Sequence, residues 1–311
     1  MDNQEDSMGK IGSILVFFTL CITLCAAPVW SYDQPAVNLG FTSFMNGAPP
    51  AGPGVYFSEY IQYYTSDDFT DMPIDGDLDV WISLSQLLYQ SNTPVLFGGK
   101  WGLDVIVPMV SLDSDPLPDN NQGLGDLLVG PYIQWDPIMG ENGPIFMHRI
   151  ELQIIIPTGK YDDDKILNPG SNFWSFDPYW AATLFITPKL TASWRIHYLW
   201  NGKNDDPAFI YANADDTQAG ETIHGNFTIA YEVIPHQLRL GVNGYYLKQI
   251  SDSEVDGHDV EGVREKVFAI GPGAIWHIDQ NNHLVFNAYF ESNTEYRTEG
   301  ERYNLRLLHH F

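Results

Sequence analysis

Eleven connections in this chain alternate long and short, and each joins two runs of about ten residues in which apolar and polar side chains take turns. Strict alternation places successive side chains on opposite faces of a strand. Strands of that length, joined alternately by long acidic loops and tight turns, predict a closed antiparallel barrel of the outer-membrane type. The long connections fall near 66–76, 110–123, 159–172, 202–220, 251–262 and 293–300, and the short ones near 91–94, 138–144, 187–189, 234–236 and 279–282. Six long and five short connections make twelve strands. The predicted fold class is therefore all-β, a twelve-stranded antiparallel transmembrane β-barrel.

The first 31 residues read differently. Residues 11–25 are an almost unbroken apolar run after Lys10, and Ser31 lies at a small-residue cleavage point two positions after Val29. The run is too short for a spanning helix, which needs about 20 residues. A secretory signal peptide over residues 1–31 and a barrel over 32–311 are expected. Cys21 and Cys25 both lie in the segment to be removed, so the mature chain would carry no thiol chemistry.

Charge excludes one class of partner. A net charge of −25 leaves no basic surface for nucleic acid. The six long connections hold 21 of the 40 acidic side chains and only four basic ones, so an acidic rim is expected on one side. Asp67, Asp68 and Asp71, or Asp162 to Asp164, either hold divalent cations that bridge to anionic lipopolysaccharide or are a solvated loop surface. Aromatic residues are 14% of the chain, a content suited to girdles at the lipid headgroups.

Between Leu190 and Trp200 the two faces separate cleanly, with Leu190, Ala192, Trp194, Ile196, Tyr198 and Trp200 opposed by Thr191, Ser193, Arg195 and His197. A charge facing lipid at mid-depth costs about 2–4 kcal/mol, so the polar set must face the lumen. The candidate lumen-lining set is Arg149, Glu151, Arg195, His197, Glu232, Arg239, Asn243, Glu291, Arg302 and Arg306. These side chains either pair into a network that fills the interior or line a solute path. Long loops are expected outside and short turns in the periplasm. The last strand ends on Phe311, in phase with Tyr303, Leu305 and Leu307, as barrel-assembly machinery would recognise, although His309 interrupts the pattern.

Catalytic and cofactor signals are absent from the sequence pattern. No G-x-S-x-G elbow, H-E-x-x-H or P-loop occurs, and His309 and His310 point to opposite faces of a strand. His197 and His224 are the nearest candidates for a hydrolase base, with lumen or girdle placement as the other reading. No enzyme activity and no cofactor are expected.

Five segments in order, GLGDLLVGPYIQWDP (123–137), IPTGKY (156–161), NPGSNFW (168–174), HYLWNGKN (197–204) and LGVNGYYLKQ (240–249), resemble the phenol-degradation meta-pathway (MetA-pathway) transporter family of outer-membrane proteins. The resemblance implies a Gram-negative outer-membrane barrel, porin-like, that takes up small hydrophobic or aromatic molecules, and it supplies no established catalytic residues. Within the third long connection, Gly159, Lys160, Tyr161, Asn168, Asn172 and Trp174 are expected at the mouth. Phe173, Trp174 and Phe176 offer either a landing surface for solute or interfacial anchors. Expected partners are outer-membrane lipid, lipopolysaccharide, the assembly machinery and a small-molecule substrate. Two rivals stay open, a lipid-modifying enzyme and a structural or adhesion barrel.

Overall fold

The computed structural model describes residues 34–48, 52–72, 75–211 and 214–311. The expected signal peptide over residues 1–31 lies outside the described residues. Twelve strands form the wall. They are β1 (Gly54–Thr70), β2 (Asp77–Pro94), β3 (Lys100–Asp115), β4 (Leu127–Gln134), β5 (Gly143–Glu151, continued by Ile154–Ile156), β6 (Ser175–Phe176, continued by Tyr179–Phe185), β7 (Leu190–Asn201), β8 (Thr222–Ile234), β9 (Leu238–Gln249), β10 (Lys266–His277), β11 (Asn282–Glu295) and β12 (Arg297–His310). Each pairs antiparallel with the next, and β12 pairs with β1 from Tyr56↔His310 to Thr70↔Arg297. That last ladder closes the barrel and leaves the wall with no free edge.

The alternation read from the sequence becomes two surfaces. Outside, Ile61, Leu87, Val107, Ile150, Ile196, Ile229, Phe286 and Leu305 are exposed and form a belt that only hydrocarbon can cover. Rings bound it above and below: Tyr63 stacks on Trp81 at 4.6 Å at the long-loop end, and Tyr89 meets Trp101 at 5.4 Å at the short-turn end. Long loops face outward in barrels of this kind, so the long-loop end is the extracellular mouth. Above it a small four-stranded sheet (Lys203–Asn204, Thr217–Gln218, Ser253–Val255, His258–Val260) joins the fourth and fifth long loops.

The structure departs from the expected loop layout in one place. The expected long connection at 293–300 is extended and is not a free loop: β11 and β12 part after Phe290↔Glu301, and their ends run on to Tyr296 against other neighbours, Glu295 beside Lys266 of β10 and Arg297 beside Thr70 of β1. Strict alternation breaks at Asn293 and Tyr296, both at positive φ, yet Thr294, Arg297 and Thr298 are buried, and the Arg297 guanidinium pairs with Glu265 at 3.1 Å. Acidic residues there sit on the outer phase of a strand and not in a loop.

The wall of β3 to β7 is stitched loosely along one diagonal. Proline has no N–H to donate, and each step of the diagonal keeps one bond to a carbonyl. The carbonyls of Pro108, Pro131, Gln153 and Pro178 accept from Gly125, Leu152, Asp177 and Tyr198 at 3.0, 3.0, 2.8 and 3.1 Å. Asp177 is turned inward at this break and is 1% exposed.

Candidate functional site: a strapped lumen with an apolar chamber at its mouth

Residues 34–48 are not part of the wall. They run down the inside of the barrel from the mouth to the periplasmic end, with no strand beside them. Their backbone groups must still be paired, and wall side chains do so. Near the mouth the contact is reversed, and the strap's own Gln34 side chain donates to the Gly220 carbonyl at 2.8 Å. Midway, the Gly40 N–H donates to Asn226 Oδ1 at 2.7 Å, and Gln62 and Asn304 donate to the carbonyls of Leu39 and Gly40 at 3.2 Å each. At the lower end the Gly47 N–H reaches Thr183 Oγ1 at 3.1 Å, and Gln134 donates to the Gly47 carbonyl at 3.2 Å. Gly40 has φ +76°, and a Cβ there would lie 2.7 Å from the Tyr289 ring. Only glycine lets the strap pass that point.

The sequence-predicted interior residues fall into four groups. In the first, Arg149 and Arg195 lie over tyrosine rings, Arg149 above Tyr132 at 4.7 Å and Arg195 above Tyr179 at 4.2 Å. Arg306 joins them over Tyr60 at 4.7 Å. Their carboxylates are Glu151, which accepts from the Tyr179 hydroxyl, and Asp104, which accepts from Gln86 at 2.6 Å. In the second, Arg302 pairs with Glu291 at 3.5 Å and donates to Gln62 at 2.7 Å, while Tyr64 and Tyr245 donate to Glu291 at 2.9 and 2.6 Å. The third, Glu232 with Arg239 at 3.6 Å, is remote from both and sits at the periplasmic rim. Asn243 donates to Asn287 at 2.7 Å on a neighbouring stretch of wall.

His197 belongs to the fourth group. Its Nδ1 lies 3.0 Å from one Asp177 oxygen, and His224 Nε2 lies 3.1 Å from the other. Asp177, His197 and His224 could be taken for a metal triad, since their ligand atoms lie within 4.8 Å of one another. Ring geometry opposes chelation. The imidazoles are stacked, with centroids 4.2 Å apart and planes 17° from parallel, so one ion could not lie in the plane of both at a bond length of about 2.0–2.1 Å. Each ring instead directs an N–H at its own carboxylate oxygen, which fixes both tautomers.

Sequence reasoning missed the tyrosines of these groups, having assigned the aromatic content to girdles. Tyr56, Tyr60 and Tyr64 share the phase of Ser58, Gln62 and Ser66 on β1, the inward one. That phase was the available signal.

At the mouth the third long loop folds over the lumen. Asp126 holds both of its ends: Gly159 N–H donates to one carboxylate oxygen at 2.9 Å, and Ser171 donates its N–H and hydroxyl to the other at 2.8 and 2.5 Å. Gly159 and Gly170 lie back to back, and a Cβ on either would meet the other's Cα at 2.7 Å. Lys160 donates to the carbonyls of Asn120 and Gln122 at 3.0 and 3.2 Å. Tyr161 donates to the Asp206 carbonyl at 2.8 Å, Asn168 accepts from Asn120 at 2.9 Å, and Asn172 donates to Asn204 at 2.8 Å. Trp174 and Phe176 point outward and are exposed, whereas Phe173 is buried inside. Three of the family-like segments thus converge on one carboxylate.

Beneath this lid is a cavity of about 220 Å³. Its wall is the inner face of β1 to β3, notably Leu78, Val80, Ile82, Val110 and Leu112, and its roof is Ile166, Leu167 and Phe173. A smaller chamber of about 60 Å³ continues downward past Leu84, Ile106 and Leu128 to Arg195. From Leu78 to Leu84 and from Ile106 to Leu112 the inner faces of β2 and β3 are therefore apolar, while the arginines that lie over tyrosine rings come from β5, β7 and β12.

A closed wall with an apolar belt, aromatic girdles, a strapped lumen and a lidded apolar chamber defines an outer-membrane β-barrel. More particularly, the chain belongs to the family described as "Putative MetA-pathway of phenol degradation", whose model matches residues 57–307. Among solved structures it is similar to the COG4313 outer membrane channel from Pseudomonas putida F1, at 19% identity over 89% of this chain and 100% of that one, with a TM-score of 0.72. It is also similar to the translocator domain of the autotransporter NalP from Neisseria meningitidis (8% identity, 86% and 91% covered, TM-score 0.49). A third is the β domain of the Bordetella autotransporter BrkA (10% identity, 84% and 100% covered, TM-score 0.48). No curated protein matches the sequence.

Proposed function

We propose that this barrel takes up small apolar or aromatic molecules from the outer surface, without covalent chemistry. One observation carries the reading: the inner faces of β2 and β3 present Leu78, Val80, Ile82, Ile106, Val110 and Leu112 to the chambers below the mouth. A pore for sugars or ions needs polar lining. An enclosed apolar cavity of about 150 Å³ is enough to hold benzene, so the upper chamber at about 220 Å³ has room for a monocyclic aromatic. Glu265, Arg297 and Arg302 along one side of the upper chamber, and Gln86, Gln153 and Arg195 in the lower one, supply the polar groups that orient a ligand in such a site.

The test is uptake of toluene, with a sugar as control, by cells that depend on this barrel. Val110→Asp places a carboxylate in the chamber wall and is expected to cut toluene uptake severalfold while the folded barrel still accumulates. Equal uptake with and without the barrel would refute the reading. A filled lumen favours one rival, a structural barrel without transport, and that reading predicts no flux of either solute.

A further inference from the structure

Glu59 is on the wrong face. On β1 the outward phase is Val55, Phe57, Glu59, Ile61 and Tyr63, and Glu59 lies halfway between the ends of that row, half-buried. Ser83 and Ser85 of β2 also point outward and donate to its two oxygens at 2.5 and 2.7 Å. Ser85 is midway between the girdle residues Trp81 and Tyr89. At about 3.4 Å per residue and a tilt of about 40°, four residues put the carboxyl roughly 10 Å from either girdle. Among the described residues no other charged side chain faces lipid between the girdles.

An ionisable group in the bilayer core is expensive and is retained where it meets a partner. The lumen is not that partner, because β1 and β2 pair without a break from Gly54↔Gln90 to Ser66↔Leu78, so nothing reaches Glu59 through the wall. Acyl chains bring no hydrogen-bonding group, and headgroups stay at the girdles. We infer that the outer face of β1 and β2 binds a second copy of this chain, with Glu59, Ser83 and Ser85 at the centre of a two-fold interface. Two copies inserted with the same orientation are related by an axis perpendicular to the membrane, so each side chain meets its own counterpart's depth. The set is complementary to itself: the Ser83 and Ser85 hydroxyls of one copy can donate across the axis to Glu59 of the other as they do to their own. Polar side chains bridging elements in lipid act as this kind of glue, and small residues such as serine allow close approach. Phe57, Ile61 and Leu87 frame the contact with apolar surface.

Cross-linking in outer membranes tests this, since Cys21 and Cys25, the chain's two cysteines, lie outside the described barrel. With a short bis-maleimide, Leu87→Cys is expected to give a dimer and Ile229→Cys, on β8 across the barrel, to remain monomeric. In the Leu87→Cys background Glu59→Leu is expected to weaken the dimer roughly tenfold, the scale of one hydrogen bond in lipid, and Glu59→Gln to restore part of it. The interface is refuted by no cross-link from Leu87→Cys, by an adduct with a different protein, or by an unchanged yield in Glu59→Leu. Should Glu59→Leu fail to accumulate as folded barrel, Ser83→Ala with Ser85→Ala in the same background gives the decision.

Discussion

Asp126→Ala should loosen the mouth without unfolding the wall. The carboxylate accepts three hydrogen bonds, from Gly159 N–H, Ser171 N–H and the Ser171 hydroxyl, and they clamp the two ends of the third long loop. A hydrogen bond to a charged group contributes about 1.5–3 kcal/mol. At the lower end of that range the clamp is worth roughly 4–5 kcal/mol, and water entering at the mouth returns part of it. A net local loss of about 3 kcal/mol raises the open population of the loop by roughly a factor of 100–200. Amide hydrogen exchange followed by mass spectrometry reads this directly. Lys160 and Gly170, whose N–H groups donate to the carbonyls of Leu124 and Lys160 at 2.8 and 3.0 Å, should exchange faster by about that factor. The β8–β9 hairpin, which touches none of these residues, should keep its protection. Asp126→Asn turns one acceptor into a donor that faces an N–H, so it should behave nearly as badly as alanine. Loop exchange unchanged within twofold, or an equal rise over the whole barrel, would show that the clamp is not a local device.

Two further substitutions probe the interior. Gly40→Val drives a side chain into the Tyr289 ring at a position of φ +76°, so the strap should leave its track; single-channel conductance should rise while the heat-resistant folded band on a gel persists, and unchanged conductance would count against the strap as the block. Asp177→Ala leaves the two imidazole N–H groups of His197 and His224 buried with no acceptor, which should cost about 2–4 kcal/mol. Urea unfolding in lipid vesicles checks this, and an unmoved midpoint would sink it.

How much of this was visible in the sequence depends on whether two phases differ. On β7 they do, and the faces from Leu190 to Trp200 are those read from the alternation. On β3 the run Val105, Ile106, Val107 is apolar in both phases, so alternation could not tell that Ile106 lines a chamber while Val107 meets lipid. The strap residues 34–48 carry no period at all, because their partners are wall side chains and not a neighbouring strand; the clue lay in the inward amides of Gln62, Asn226, Asn287 and Asn304, whose purpose no local pattern states. Around Tyr296 the chain stays extended beside β10 and β1, which the sequence disguises because Glu295 and Glu299 look like loop acid. At the mouth, Gly159, Lys160, Tyr161, Asn168 and Asn172 are brought together, whereas Trp174 is turned outward; glycines and asparagines signalled a turn-rich loop, but only the fold could show that Asp126 closes it.

The strap is held by neutral groups. Amides of Gln62, Gln134, Asn226 and Asn304 grip its backbone, its own Gln34 amide holds the Gly220 carbonyl, and no ion pair is needed along that track. Dissolved ions screen exposed charges over about 8–10 Å at 0.1–0.15 M and over shorter distances in brine, yet leave buried amide contacts almost untouched. A barrel built this way meets fresh or saline water with its interior equally secured. The acidic rim above it, in contrast, changes its reach with every change in salinity.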